Sequence, residues 1–174
     1  MITCREATPD DAEQIAQLHS LSWQQNYIGI WNDEFLNSDV LDNRRQIWQQ
    51  RLTKPASTQY VIVAEANEVI HGFACTYMDK DPVWGTLLDN LHVHAEQKGR
   101  GLGTLLIKSA AGWAHWKRPD SGFYLWVLPQ NTKARRFYEK LGATNHELVY
   151  QATPDGGTSA SYRYVWTDLT TLLD

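Results

Sequence analysis

Positions 98 to 107 read KGRGLGTLLI, with glycines at 99, 101 and 103 lying between the strand-like stretch TLLDNLHVH and a helix-like apolar pattern. Glycine reaches positive φ without steric cost and leaves no side chain between backbone amides and a ligand. A helix N-terminus presents unpaired N–H groups and the positive end of the helix dipole. With Lys98 and Arg100 alongside, the stretch reads as a cradle for phosphate oxygens. The nucleotide pattern GxxxxGK[ST] is not met, and the dinucleotide pattern GxGxxG fails because its third glycine falls at Thr104. A different phosphate ligand, or a flexible turn with no ligand, remains.

The rest of the chain places this turn in a mixed α/β architecture. Residues 2 to 7 suit a first strand, after which Thr8 caps a helix with Pro9 in its first position, running to about residue 26. Ala12, Ile15, Ala16, Leu18 and Trp23 recur at helical intervals and predict one buried face. A second helical stretch covers about residues 33 to 52. YVIVAEA, VIHGFACTYMD and TLLDNLHVH then read as a three-stranded antiparallel meander. Residues 101 to 116 are helical, FYLWVL is a strand, NTKARRFYEKLG is a helix ending at Gly142, and residues 144–152 and 161–167 form a closing hairpin. The crossover from TLLDNLHVH to FYLWVL is the central parallel step. The expectation is one domain over residues 1–174, with about seven strands and about four helices.

Composition narrows the partners. A net charge of −4 disfavours nucleic acid and anionic membranes, so an anionic ligand needs a local site. No signal-like start or membrane-length apolar run is present, which predicts a cytoplasmic protein. Cys4 and Cys75 lack metal-type spacing and read as buried free thiols. His92 and His94 form HxH, but no third ligand follows at a recognisable spacing, so no metal is expected. Eight tryptophans and eight tyrosines suggest aromatic walls or an apolar contact surface as well as core.

Two motifs carry a resemblance to a known family. LHVHAEQKGRGLG places Lys98, Gly101 and Gly103 as in [RQ]-x-x-G-x-[GA] behind an L-x-V strand end. Downstream, LWVLPQNTKARRFYEKLGA sets Asn131, Ala134, Tyr138 and Gly142 in the register N-x-x-A-x-x-x-Y-x-x-x-G. The sequence resembles the GNAT superfamily of N-acetyltransferases. Lys98 departs from the usual Arg or Gln, keeping the charge but losing the fork geometry.

The resemblance implies a GNAT-like acyl-CoA N-acyltransferase fold with acetyl-CoA as acyl donor. By that likeness the backbone at Leu91, His92 and Val93 lies along the pantetheine arm, and Lys98, Gly99, Arg100, Gly101, Leu102, Gly103 and Thr104 hold the pyrophosphate. Asn131 bonds the arm, Arg135 reaches phosphate, and Tyr138 protonates the departing thiolate. A primary amine needs a base, because losing its proton at pH 7 costs about 4.6 kcal/mol. Asp89 and His92 are the candidates. Strand alternation puts Asp89, Leu91 and Val93 on one face and Asn90, His92 and His94 on the other. Trp23, Tyr27 and Trp31, with Asp89, are candidates for the acceptor site, and core packing is an equal reading for the aromatics.

The expected activity is acetyl transfer to a primary amine of a small molecule or peptide by direct attack. Polyamine, amino acid, aminoglycoside-like and peptide acceptors all fit, and the acidic balance leans toward a cationic one. A non-catalytic acyl-CoA-binding module on the same scaffold is the alternative, and an assembly protein with a Trp-rich face is a third. Relatives often form homodimers, for which aromatic richness is the one hint in this chain.

Overall fold

The computed structural model describes residues 2–173. Strand β1 (Thr3–Glu6) is followed by a 3-10 turn (Pro9–Asp11) and helix α1 (Ala12–Tyr27), and a π-helical turn (Phe35–Asp39) leads into α2 (Val40–Thr53). Next come β2 (Gln59–Ala66), β3 (Val69–Asp81) and β4 (Gly85–Val93), then α3 (Leu102–Lys117) and β5 (Phe123–Val127). The chain closes with α4 (Thr132–Lys140), β6 (Thr144–Ala152), β7 (Thr158–Trp166) and the short α5 (Thr170–Leu173). All the strands join one seven-stranded sheet of order β1-β2-β3-β4-β5-β7-β6, in which β4 and β5 are the parallel pair. The seven strands and mixed α/β class match the sequence reading, with α5 a fifth, short helix.

Residue alternation divides the core into two layers. Val61 and Val63 on β2, with Phe73 and Cys75 on β3, pack under Ile15, Ala16 and Trp48 of α1 and α2. Their neighbours Ile62, Ala64 and Ala74 face the opposite side, where α3 lies. Ala110, Ala111 and Ala114 let α3 approach the strands closely, and Leu106 and Ile107 fill what remains. Cys75 is fully buried as expected, whereas Cys4 is only partly covered, because β1 is a sheet edge. Among the described residues no helix is long and apolar enough to cross a membrane.

The start of α1 is anchored electrostatically. Asp11 accepts from the Thr8 N–H at 2.7 Å and pairs with Arg5 at 2.8 Å, and Arg5 also reaches Glu65 at 2.6 Å. Arg5, followed by the Thr8 hydrogen bonds, holds the Asp11 carboxyl below the usual carboxylate range despite its burial. A depressed native pKa contributes stability that is complete above the unfolded value and is lost as pH falls through the native one. Asp11→Asn is expected to lower stability by about 1–2 kcal/mol at neutral pH. It should also flatten the acid-side slope of the melting temperature, which thermal melts at a series of pH values measure.

Candidate active site

The parallel step from β4 to β5 builds the site by failing to continue. Only Thr86 with Phe123 and Leu87 with Tyr124 are in register. Past them the strands diverge, leaving the β5-facing backbone of β4 without a strand partner and opening a cleft of about 710 Å³ between Leu88–Val93 and residues 125–128. A backbone edge of this kind can pair with an extended amide-bearing ligand much as it would with a strand.

The glycine turn lies at one end of this cleft. Gly99 and Gly101 have φ of +77° and +83°, and a Cβ at either would meet nothing within 4 Å. The positive φ therefore demands glycine there, while the space in front of the turn is open. The Leu105 N–H is the first to reach back, to the Gly101 carbonyl at 3.0 Å, so among the described residues the N–H groups of Leu102, Gly103 and Thr104 have no backbone acceptor. At Gly103 an added Cβ would meet the Phe137 ring at 3.4 Å, an ordinary contact distance, so the head of α3 lies against α4. The cations lining the cleft are Lys98, Lys133 and Lys140. Arg100 is exposed and lies outside the lining. Arg135 is turned away, donating to the Tyr164 hydroxyl at 3.2 Å and the Pro129 carbonyl at 3.0 Å.

Asn131 caps α4, its side-chain oxygen accepting from the Ala134 N–H at 3.2 Å. This fixes the helix start and leaves the Asn131 amide nitrogen free at the cleft wall. Two helical turns on, Tyr138 lines the same cleft. Tyr27 approaches from α1, and neither phenol has a hydrogen-bond partner among the described residues. Burial pushes the Tyr27 hydroxyl up to about 12. Burial, then the neighbouring Tyr27, raises that of Tyr138 as well.

One expectation from strand alternation is corrected here. The register pairs Cys75 with Asn90 and Thr76 with Leu88, leaving Asp89 as an extra residue in a bulge. The bulge turns Asp89 away from Leu91 and Val93, which pack toward α3, and onto the α2 side with Asn90. There one Arg51 nitrogen donates to Asp89 at 2.8 Å and to Asn90 at 3.0 Å. His92 lies on the same side, its Nδ1 2.8 Å from Ser22 Oγ and its ring 4.5 Å from that of the buried His19. Burial, then the charges of Lys98 and Arg44, push His92 down to about 3.

A second cavity of about 350 Å³ adjoins the cleft across Leu88, Asp89 and Asn90, with Trp23 and Trp126 shared between the two. Trp31 faces this smaller cavity and Tyr27 the larger, while Trp23 is also part of a core cluster with Leu36 and Val40. The α1–α2 loop and the β6–β7 hairpin meet beside it, where the Asn32 N–H donates to Asp155 at 2.6 Å. Sequence reasoning missed Ser22, Arg44, Arg51 and Trp126, which no linear motif marks. It also missed Lys133 and Lys140, although both sit on the helix already singled out for Asn131 and Tyr138.

A divergent parallel pair with a glycine-opened helix at its mouth is an arrangement suited to an extended, phosphate-bearing ligand. The model of the acetyltransferase (GNAT) family matches residues 13–143. The chain belongs to this family. It is 26% identical over 180 residues to YuaI of Bacillus subtilis (strain 168), an uncharacterized N-acetyltransferase, covering 99% of this chain and 96% of that one. Its fold is similar to that of the PaiA N-acetyltransferase of Thermoplasma acidophilum in complex with coenzyme A (TM-score 0.73, 18% identity, covering 95% and 98% of the two chains). It is also similar to YncA of Salmonella typhimurium with its cofactor acetyl-CoA (TM-score 0.67, 22% identity, covering 100% and 95%).

Proposed function

We propose that this protein transfers an acetyl group from acetyl-CoA to a primary amine. The observation that carries the reading is the divergence of β4 from β5, with unpaired backbone along it and an open amide cradle at its end. These features fit the coenzyme chemically. Three free N–H groups, with Lys98, Lys133 and Lys140 nearby, suit a pyrophosphate, and the bare β4 edge and the Asn131 amide suit the amide-bearing arm. When bound, acetyl-CoA supplies an acetyl thioester.

The protein's own groups then orient the reaction and move its protons. The Tyr138 hydroxyl, partnerless and facing the cleft, holds a proton that a departing thiolate can take. On the acceptor side, His92 is engaged with Ser22 and packed on His19, and burial disfavours its charged form. Asp89 is the one acidic side chain lining either space among the described residues, and we assign it the relay of the amine's proton to solvent. Direct attack is favoured over an acyl-enzyme route. Burial pushes the Cys75 thiol up to about 12, and neither cysteine lines either cavity.

Calorimetry with coenzyme A and a thiol-release assay over a broad amine panel test this reading. The expected outcome is micromolar binding with thiol release for one class of amine. Binding without release for any amine would leave a coenzyme-binding module in its place. Asp89→Asn should lower kcat/KM by about tenfold or more.

A further inference from the structure

The smaller cavity holds a buried cation with no anion of its own. Arg44 on α2 is only 7% exposed and lines this cavity. Its Nε donates to the Asn43 side-chain oxygen at 3.0 Å, Nη2 reaches the same atom, and the guanidinium lies 4.2 Å over the Trp23 ring. Among the described residues no carboxylate pairs with Arg44, and its Nη1 has no hydrogen-bond partner. The nearby Arg51 consumes Asp89, the cavity's one acid, so the lining carries an excess of one positive charge. A second donor is orphaned there: the indole N–H of Trp31 is buried and unpartnered. A buried cation with no paired anion and a buried N–H with no acceptor are both costly, and chains retain such groups where a ligand completes them.

From this unpaired cation and this orphan donor on one cavity wall we infer that the acceptor amine also carries a carboxylate, which Arg44 and Trp31 bind, making the substrate class small amino acids and similar amino-carboxylates. A guanidinium offers the planar fork that a carboxylate matches. The volume of about 350 Å³ suits a molecule of amino-acid size, and Trp23, Trp31 and Trp126 supply apolar walls for its side chain. The shared boundary at Asp89 lets an amine held from this side meet the β4–β5 divergence. Burial, then the charge of Arg51, pushes the Arg44 guanidinium down to about 10, a strain that a bound anion relieves. The chain-wide acidity leaned toward a cationic acceptor, but charge averaged over a surface says little about a cavity shielded from it.

The inference rests on the acetyl-transfer reading for the amine, but not for the carboxylate. The test compares matched pairs as acceptors: phenylalanine with phenethylamine, methionine with 3-(methylthio)propylamine, and lysine with cadaverine, each followed by thiol release. The amino acids should exceed their decarboxylated partners in kcat/KM by about 10- to 100-fold. Arg44→Met should bring that ratio close to one, and Arg44→Lys should restore part of it. A second measurement uses the wild-type protein loaded with coenzyme A and follows tryptophan fluorescence on titration with N-acetylamino acids and with their primary amides. The acids should bind at least tenfold more tightly. Decarboxylated amines turned over as well as the acids, or a preference untouched by Arg44→Met, would overturn the inference and leave acetyl transfer standing. No thiol release from any pair, together with tighter binding of the acids, would remove the catalytic reading and keep the anion site. Equal binding of acids and amides would overturn the site directly.

Discussion

Tyr138→Phe is expected to lower kcat by about 10²- to 10⁴-fold, the range over which a positioned general acid contributes. The phenol faces the cleft with no partner to lose, so the substitution removes a proton without opening a cavity or stranding a buried group. Stability should therefore change by no more than about 0.5 kcal/mol, and KM for the acyl donor should stay close to its original value. The pH profile supplies a sharper signature. Burial, with Tyr27 beside it, keeps the Tyr138 hydroxyl protonated above the ordinary phenol value near 10. The wild-type rate should accordingly not decline between pH 9 and about 10, where an unperturbed phenol would begin to ionise. A thiolate released in the same poorly solvated cleft is a stronger base than in water, which is what lets a reluctant phenol donate. A kcat within twofold of wild type across pH would remove Tyr138 from the chemistry.

Gly101→Val is expected to weaken coenzyme A binding by at least about tenfold and to lower stability by roughly 2 kcal/mol. Gly101 is the residue before α3 and has φ +83°, a conformation in which a β-branched residue is a genuine outlier. Nothing lies within 4 Å of its imagined Cβ, so the penalty comes from the backbone and not from a clash. Relief of that strain must rotate the peptide planes that present the N–H groups of Leu102, Gly103 and Thr104. Calorimetry with coenzyme A and a thermal melt read the two effects separately. Gly99→Ala is a useful companion, since its φ is also positive at +77° but it precedes the helix by two residues more. An unchanged affinity in Gly101→Val would mean that the cradle does not bind phosphate.

The order and type of elements were legible because each carries a local physical signal. Thr8, Pro9 and Asp11 mark the helix start wherever the segment ends up, and the alternation from Val61 to Ala64 marks a strand with two covered faces. The glycine turn was legible for the same reason, since a left-handed backbone demands the residue type. Its charge partners were not. Arg100 lies nearest in sequence yet points elsewhere, while Lys133 and Lys140 reach the cleft from α4, a helix that only the crossover brings alongside. The position of Asp89 was misread because a bulge, set by how β3 and β4 pair over many residues, breaks the two-residue period on which the reading depended.

What the sequence determined alone is what short-range chemistry determines: helix caps, strand periods, the glycines that free three amides, and the Asn131–Tyr138 spacing that turns two side chains in one direction. Tertiary structure decided everything that depends on partners. It set where β4 leaves β5, which basic residues face the cleft, and that Arg44 is buried with no anion beside it. Charge pairing and burial are properties of distance in space, and residues 44, 89 and 151 share one cavity only once the sheet has formed.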